Sequence, residues 1–311
     1  MQLVRSPQQL ANNPKYLVWM PKAGIVTVAG KPNVGKSTLL NRIVGQKLSI
    51  TSPKPQSTRD RIVGIYTTGD SQMVILDTPG LLNPRYPLQE AMRSTAVRAL
   101  DEADVIIYLA DATEGQPPSL AEAASLAAPP SAPVIVALNK SDALTASRRD
   151  DLQLSDNVVL VSALTGDGVP DLMARVARHL PESPFLYPED EISTQPVRFF
   201  VAELVRETVL EQIHDEVPYS VAVQVEEYRE GRSPLYIRAV IYVERESQKA
   251  IIIGGKGARI RSIGEAARKK TEILVGEKVY LDLWVKVLPN WRKNPGSLSR
   301  FGYQLAKGKS K

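Results

Sequence analysis

A glycine-containing octapeptide stands between a short apolar run and a helical stretch near the start of the chain. The apolar run is Gly24–Ala29, the octapeptide is Gly30–Ser37 (GKPNVGKS), and the helical pattern continues to Gly45. The octapeptide fits GxxxxGK[ST], a pattern in which backbone N–H groups and a helix N-terminus converge on a polyphosphate. Because such a loop requires a strand before it and a helix after it, the feature predicts an α/β fold with a phosphate site at the carboxyl end of a strand.

Each residue type in the octapeptide suits one part of a phosphate site. Gly30 and Gly35 allow the backbone to curl around an anion. The Lys36 ammonium can reach β- and γ-phosphate oxygens, and the Ser37 hydroxyl can bind Mg²⁺. The loop alone does not separate ATP from GTP. The full predicted binding set is Gly30, Lys31, Pro32, Asn33, Val34, Gly35, Lys36 and Ser37.

A second motif, DTPG, occupies Asp77–Gly80 at the end of another apolar run. A carboxylate at a strand end can hold Mg²⁺ directly or through water, and the Gly80 N–H can meet a γ-phosphate. In isolation DTPG is often only a strand followed by a turn, but its place behind the octapeptide favours a nucleotide site. The expected contacts are Asp77, Thr78, Pro79, Gly80 and Leu81.

Two further motifs, NKSD and SAL, identify the base as guanine. Guanine presents two adjacent N–H donors that one carboxylate, Asp142, can accept together, whereas adenine would leave that charge unpaired. Asn139 is expected to brace the loops, and the stem of Lys140 to lie along the base. The Ser162–Ala163 backbone is expected to contact the guanine oxygen. The predicted base-binding residues are Asn139, Lys140, Ser141, Asp142, Ser162, Ala163 and Leu164.

A polar, proline-containing segment at residues 49–61 (SITSPKPQSTRDR) separates the first helix from the next apolar run. A nucleotide switch needs such a loop to close over the γ-phosphate with a Ser or Thr on Mg²⁺. Thr58 is the preferred ligand and Ser57 the alternative, with a simple solvated loop as the other interpretation. The predicted Mg²⁺ ligands are Ser37, Thr58 and Asp77.

Composition limits the classes of protein. The chain has 311 residues, of which 43% are hydrophobic, enough for two domains with their own cores. The absence of cysteine excludes disulfides and thiol chemistry, and two histidines argue against a zinc site. Neither a signal-peptide pattern nor a membrane-length apolar run is present. A soluble protein is therefore expected, or at most a peripheral membrane binder.

Prolines and acidic residues at 181–196 (PESPFLYPEDEISTQP) interrupt the apolar periodicity and predict an interdomain linker. Before it, apolar runs alternate with helical stretches, the pattern of a mostly parallel sheet with helices on both faces. After it, the predicted order is helix, strand, strand, helix, glycine loop, helix, strand.

Basic residues are concentrated near the C-terminus. Residues 249–311 carry 15 Lys and Arg against 4 Asp and Glu, although the net charge of the whole chain is only +5. Such an end predicts a polyanionic partner, with a solvated tail as the alternative. A GxxG turn between two helices would let an RNA backbone approach closely, and the run 268–270 is left open between RNA contact and a solvated helix face. The predicted RNA-binding residues are Gly254, Gly255, Lys256, Gly257, Arg259 and Arg261.

These motifs, in this order, resemble the Era family of bacterial ribosome-assembly GTPases over the full length of the chain; the segments QSTRDRIVGI and IIIGGKGARIRSIG add to the likeness. The resemblance implies an α/β P-loop GTPase domain, with a mostly parallel sheet and helices on both faces, followed by a smaller α+β type II KH domain. The implied segments are an N-terminal extension (1–22), the GTPase domain (23–180), the linker (181–196), the KH domain (197–290) and a basic tail (291–311). The proline-containing middle of that tail departs from a continuous helix.

The resemblance also implies an activity and partners. The first domain would bind GTP or GDP with Mg²⁺ and hydrolyse GTP slowly, and the KH domain would bind 16S rRNA near its 3′ end during maturation of the 30S precursor. A cytoplasmic monomer is implied, with peripheral association at the inner face of the cell membrane left open. The alternative is an RNA-binding assembly protein that uses GTP as a structural ligand without meaningful turnover.

GTP hydrolysis needs groups that orient the attacking water and stabilise the charge of the transition state, and the glutamine that often does so is absent here. Leu81 stands directly after DTPG, where Ras-like GTPases place a water-orienting Gln, and an apolar side chain cannot orient water. Arg59 and Arg61 are candidates in cis, with phosphate or RNA contact equally open. The resemblance offers Asn33 as a K⁺ ligand, with bracing of the loop as the alternative. The predicted catalytic residues are Lys36, Thr58, Gly80 and Asn33.

Overall fold

A computed structural model describes residues 20–152, 155–214, 216–231 and 233–305. The predicted N-terminal extension therefore lies almost entirely outside the described residues, as does the end of the basic tail. Within the described ranges, no helix combines the length and the apolar character needed to cross a bilayer.

The first half of the chain forms one mixed sheet in the strand order β2-β3-β1-β4-β5-β6, in which only β2 runs antiparallel to its neighbour. Because β1 pairs with β3 on one side and β4 on the other, the loop after β1 lies where the strand order reverses, the usual ligand position in open α/β sheets. The strands are β1 (Lys22–Ala29), β2 (Ile62–Thr67), β3 (Ser71–Asp77), β4 (Val105–Asp111), β5 (Val134–Asn139) and β6 (Val158–Leu160).

Helices cover both faces of this sheet, which confirms the predicted α/β class. One apolar core contains Leu39, Leu40 and Ile107, and the other contains Leu100 and Ile106. Successive residues of β4 thus point to opposite cores, as expected of a strand buried on both faces. The helices are α1 (Lys36–Val44), α2 (Pro87–Asp101), α3 (Leu120–Ala124), α4 (Ala146–Asp150) and α5 (Val169–His179).

The second half forms a three-stranded sheet in the order β7-β8-β9, with β7 antiparallel and β9 parallel to β8. Helices pack on one face of it around Val205, Ile241 and Ile263. The observed element order is the predicted one, which confirms the smaller α+β domain. Its elements are α6 (Val197–Gln212), β7 (Ala222–Arg229), β8 (Leu235–Val243), α7 (Glu246–Ile253), α8 (Ala258–Val275) and β9 (Val279–Val287).

The segment after β9 packs between α2 of the first domain and the sheet of the second domain. Trp291 is fully buried, and it shares an apolar cluster with Val240 of β8 and Met92 of α2. A short helix, α9 (Pro295–Arg300), follows, with Asn294 as its N-cap and proline at its first position, where no N–H is needed. Pro295, which would break a continuous helix, therefore starts a short one.

The predicted linker is fastened along the exposed edge of β2. The Ile65 N–H donates to the Ile192 carbonyl at 2.9 Å, and the Gln195 side chain donates to the Arg61 carbonyl at 2.7 Å. An edge strand covered in this way does not pair with other chains. The contacts also tie the segment preceding α6 to β2, the strand that follows residues 49–61, which we call the switch loop.

Candidate functional site

Close packing against a backbone carbonyl and an asparagine side chain requires glycine at two positions of the phosphate loop. Gly30 has φ +154°, and a Cβ there would lie 2.2 Å from the Leu109 carbonyl oxygen. Gly35 has φ +101°, and a Cβ there would lie 2.2 Å from Asn139 Nδ2. No side chain caps α1 at Gly35, so the N–H groups of its first turn are available to an anion.

Lys36 lies inside this loop. Its Nζ donates to the carbonyls of Lys31 at 2.8 Å and Gly30 at 3.2 Å. Burial lowers the pKa of Lys36 to about 8, and the Asp77 carboxylate opposes that shift. An added anion would favour the charged amine, so the loop is electrostatically prepared for a phosphate.

Three hydroxyl groups converge on the buried carboxylate of Asp77. Ser37 Oγ and Ser49 Oγ each donate to its Oδ2 at 2.7 Å, and Thr58 Oγ1 lies 2.8 Å from Ser37 Oγ. Burial raises the pKa of Asp77, against the opposing effects of Lys36 and these hydroxyls. Among the described residues, its Oδ1 has no hydrogen-bond partner. Such a group of oxygens suits Mg²⁺, a hard cation that takes oxygen ligands.

The DTPG segment packs tightly against the phosphate loop. A Cβ on Gly80 would lie 2.7 Å from the Pro32 nitrogen, so only glycine is accommodated without a shift. The Thr78 hydroxyl donates to the Val28 carbonyl at 3.0 Å, and the Leu81 N–H donates to the Gly30 carbonyl at 3.0 Å. The Leu81 side chain is buried in the core beneath α2, where it cannot orient a water at a γ-phosphate.

A cavity of about 130 Å³ lies between the phosphate loop and the switch loop. Lys36, Ser37, Thr58 and Gly80 line it, and Asn33 and Pro53 lie at its rim. Asn33 Nδ2 donates to the Pro53 carbonyl at 2.8 Å, which ties the two loops together. Four of the residues predicted to act on the phosphates are thus brought together around one space.

The NKSD and SAL segments form one assembly. Asn139 Nδ2 donates to the Val34 carbonyl at 2.7 Å, and its Oδ1 accepts from the Ala163 N–H at 2.8 Å. Lys140, at φ +67°, pairs with Asp111 at 2.6 Å. Ser162 Oγ donates to Asp142 Oδ1 at 2.6 Å. This hydrogen bond orients the carboxylate that is predicted to read the base.

Sequence reasoning missed two supports of this site. Ser49 belongs to no motif, yet it donates to Asp77, and only its position in the polar loop could have suggested it. Arg42 of α1 holds the SAL segment through the carbonyls of Ala163, at 3.3 Å, and Leu164. Leu164 itself is 67% exposed, so its backbone rather than its side chain is held.

The switch loop is anchored to the second domain. Arg59 is only 3% exposed, and its guanidinium donates to the carbonyls of Val221 at 2.5 Å, Tyr219 at 3.0 Å and Pro218 at 3.4 Å. It also lies 5.8 Å from the centroid of the Trp291 ring. Arg59 therefore makes no contribution at the phosphates in this arrangement, contrary to the role in cis that its sequence position left open.

Other residues reinforce the same junction. Arg206 of α6 donates to the Ser57 carbonyl at 2.6 Å, and Lys54 donates to the carbonyls of Leu210 and Ile213. Arg61 instead pairs with Glu102, the residue that caps the C-terminus of α2. Thr58, which faces Ser37, is thus held in a loop whose neighbouring residues are bound to the second domain.

A buried carboxylate at the junction accounts for part of the basic run 268–270. Glu207, on α6, pairs with Lys47 at 2.7 Å and with Lys270 at 2.9 Å. Arg268 pairs with Glu272 at 2.9 Å, whereas Lys269 is exposed. Two of the three cations therefore have partners within the chain.

The glycine-rich turn presents an open backbone. Gly254 and Gly257 have φ +70° and +76°, and Lys256 has φ +51°. A Cβ on Gly254 would lie 2.7 Å from Arg259 Cβ, whereas nothing lies within 4 Å of a Cβ on Gly255 or Gly257. Lys256, Arg259 and Arg261 are exposed around this turn. A chain of phosphates could approach the turn and the uncapped start of α8.

The fold and these sites define a P-loop GTPase joined to a KH domain. The family described as a 50S ribosome-binding GTPase matches residues 25–140, and the KH domain family matches residues 216–292. GTPase Era of Carboxydothermus hydrogenoformans is 43% identical over 291 residues, which cover 91% of this chain and 98% of that protein. GTPase Era of Thermotoga petrophila is 44% identical over 281 residues, covering 88% and 94%. The chain belongs to the GTPase Era family, and it is therefore a GTP-hydrolysing P-loop enzyme.

Solved structures agree with this assignment. A variant of Aquifex aeolicus Era bound to GDP and AlF₄⁻ superposes with a TM-score of 0.85 at 41% identity, covering 91% of this chain and all of that one. Era in complex with MgGDPNP and nucleotides 1506–1542 of 16S ribosomal RNA gives the same TM-score and identity, with 92% and 100% coverage. The resemblance inferred from the motifs is confirmed, and the alternative of GTP as a purely structural ligand is set aside.

Proposed function

We propose that this chain binds GTP with Mg²⁺, hydrolyses it slowly, and uses its nucleotide state to control binding of 16S rRNA near the 3′ end during maturation of the 30S precursor. Two observations on relatives support the ligands: one solved relative carries GDP and AlF₄⁻, and another carries MgGDPNP with nucleotides 1506–1542 of 16S rRNA. The geometry of this chain supplies the residues for both.

Named residues would hold each part of the nucleotide. Ser37, Thr58 and Asp77 would hold Mg²⁺, which would neutralise phosphate charge. The charged Lys36 and the N–H groups of the phosphate loop and Gly80 would stabilise charge that develops on the γ-phosphate. Because Leu81 is buried and supplies no polar group, slow intrinsic hydrolysis is expected.

The contact between the switch loop and the second domain carries the proposal of nucleotide control. Thr58 lies beside Ser37, while Arg59, the next residue, is bonded to three carbonyls of the turn before β7. A ligand changes a conformational equilibrium only through different contacts in the two states. Displacing Thr58 on loss of the γ-phosphate would displace Arg59 as well, and this couples the nucleotide to the orientation of the KH domain.

The coupling is tested by titrating the full chain with RNA of nucleotides 1506–1542 after loading with GDPNP or GDP. We expect binding to be at least fivefold tighter with GDPNP, and crosslinks to purified 30S precursors to follow the same order. A Lys256→Glu variant should bind weakly in both nucleotide states, because it reverses a charge at the GxxG turn. Equal affinity of the wild-type chain in the two states would refute the coupling.

A potassium ion is the second element of the proposed mechanism. Asn33 and the Pro53 carbonyl meet at the rim of the phosphate cavity, so an oxygen-lined cation position could form there when the Asn33 amide turns its oxygen inward. We expect GTP hydrolysis to be faster in K⁺ than in Na⁺, and Asn33→Ala to abolish the difference. Steady-state phosphate release in matched salts measures it, and identical wild-type rates in both salts would exclude the ion.

The same proposal includes three further points: the segment boundaries inferred from the sequence, a monomeric state and a cytoplasmic location. Sedimentation equilibrium of the full chain should give the mass of one copy. Flotation with anionic vesicles tests peripheral membrane binding. Recovery of the chain with the vesicles would support such binding.

A further inference from the structure

The sheet of the KH domain has an aromatic surface on the face opposite its helices. The segment with Trp291 and α9 covers one end of that face. At the other end, Tyr280 and Trp284 are 58% and 52% exposed. Exposed aromatic side chains four residues apart on one strand share a face, since successive residues alternate. None of the nucleotide or GxxG contacts described above uses this surface.

Four side chains form this surface, which we call the aromatic platform: Tyr236, Arg238, Tyr280 and Trp284. The parallel register places Tyr236 of β8 beside Tyr280 of β9, and their rings stack with centroids 5.8 Å apart at 13°. The Arg238 guanidinium lies 5.9 Å from the Trp284 ring centroid and 5.8 Å from that of Tyr236. Flat π-surfaces therefore adjoin one another across two strands.

Asp282 holds the platform in one arrangement. Its Oδ2 accepts from Tyr236 Oη at 2.9 Å, from Trp284 Nε1 at 3.0 Å and from Arg238 Nε at 3.0 Å. Burial acts against the charged carboxylate, but the hydrogen bonds from Trp284, Arg238 and Tyr236 hold the pKa of Asp282 below its usual range. Rings fixed in this way lose little side-chain entropy when a ligand stacks on them.

The charges around the platform are balanced, which restricts what it can recognise. Arg238 pairs with Asp282 at 3.0 Å, and on the adjoining strands Arg229 pairs with Glu227. Lys286 pairs with Glu226 at 2.9 Å. With no surplus charge, attraction to phosphates is weak, and the ligand that suits the surface is a flat, uncharged ring system. Nucleobases stack on aromatic side chains in this manner with little sequence preference.

The edge strand β9 lies between the platform on its outer face and the helix that follows the GxxG turn on its inner face. That strand pairs only with β8 among the described strands, so its other edge is open. On its inner face, Leu283 lies 3.6 Å from where a Cβ of Gly264, in α8, would be. RNA bound at the GxxG turn would pass this edge to reach Trp284.

We propose that the aromatic platform stacks bases of single-stranded RNA that flank the nucleotides held at the GxxG turn. The inference rests on the proposed RNA-binding function and extends its footprint to a second surface. Stacking on one aromatic ring changes affinity by about five- to a hundredfold per base. Since the one charge of the platform, on Arg238, is balanced by Asp282, the contribution of stacking should be independent of salt, whereas that of the GxxG cations should fall as salt rises.

The experiment uses the full chain loaded with GDPNP and a nested set of RNAs, trimmed from either end of nucleotides 1506–1542. Trp284→Ala and Tyr280→Ala are compared with Ile273→Ala, which removes an apolar side chain that is 84% exposed near the opposite end of α8 from the GxxG turn. Trp284→Phe retains a stacking ring and should restore affinity. Tryptophan fluorescence, read against the Trp284→Phe chain, reports stacking directly.

We expect Trp284→Ala to lower the affinity for the full RNA at least fivefold at both low and high salt. The same variant should bind a fragment that is trimmed at one end as tightly as the wild type does. That fragment should also fail to quench Trp284. Unchanged affinity of every RNA for the Trp284→Ala and Tyr280→Ala chains would overturn the platform while leaving RNA binding at the GxxG turn intact. Failure of the wild-type chain to bind any of the RNAs would overturn both.

Discussion

Asp142→Asn is expected to lower the affinity for GTP at least a hundredfold and to make xanthosine triphosphate the preferred nucleotide. The carboxylate can accept two N–H donors of guanine, and charge-assisted hydrogen bonds contribute roughly 1.5–3 kcal/mol each. In this chain Ser162 Oγ donates to Asp142 Oδ1 at 2.6 Å. An amide in the same place would keep its oxygen on Ser162 and turn its NH₂ group to the base, where the carbonyl of xanthine accepts.

Competition of GTP and XTP for a fluorescent guanine nucleotide measures the change in preference. Asp167→Asn is the matched control, because it removes an equal charge from an exposed residue of the neighbouring SAL loop, one that accepts from the Thr165 hydroxyl at 2.8 Å. The control should bind GTP within about twofold of wild type, as expected for exposed charges. A chain with Asp142→Asn that still preferred GTP would show that another group reads the base.

The fold and the nucleotide site were largely predictable because their signals are local. Gly30 and Gly35 are required because a Cβ at either position would lie 2.2 Å from a neighbouring atom, and both glycines belong to a short motif that is visible in the sequence. Alternating apolar runs and helical stretches predicted both sheets, since each pattern follows from the geometry of its own element. Asn139 bridges Val34 and Ala163, which its motif position had indicated.

The contacts between domains were not predictable from the same signals. Arg59, Lys54 and Arg206 are ordinary cations, and their partners are backbone carbonyls far along the chain, which carry no sequence signature. Trp291 was assigned to a basic tail, yet it is fully buried at the centre of the junction. Tyr280 and Trp284 belong to no motif; strand alternation puts them on one face of β9, and the structure shows that this face is exposed.

Arg59→Ala is expected to remove most of the dependence of RNA affinity on nucleotide while leaving nucleotide binding itself intact. The guanidinium supplies the donors for three carbonyls of residues 218–221 and is nearly fully buried. Leaving buried acceptors unsatisfied costs about 1–3 kcal/mol each before water enters, so the docked arrangement should weaken by a few kcal/mol. We expect the ratio of RNA affinities in the GDPNP and GDP states to fall to within about twofold.

Arg61→Ala is the matched control for this loop, since Arg61 is two residues away and makes a half-exposed pair with Glu102 that contributes about 0–1 kcal/mol. Its affinity ratio should match that of the wild type. Titration of RNA against each variant in both nucleotide states gives the ratio, and GDP affinity measured in parallel shows whether the nucleotide site is intact. If Arg59→Ala retained the wild-type ratio, the signal would have to travel by another path, and the segment 181–196, which is hydrogen-bonded to β2 and to Arg61, is the other connection from the switch loop to α6. A single substitution at position 59 therefore distinguishes the two routes, because only the contact with residues 218–221 requires a guanidinium there.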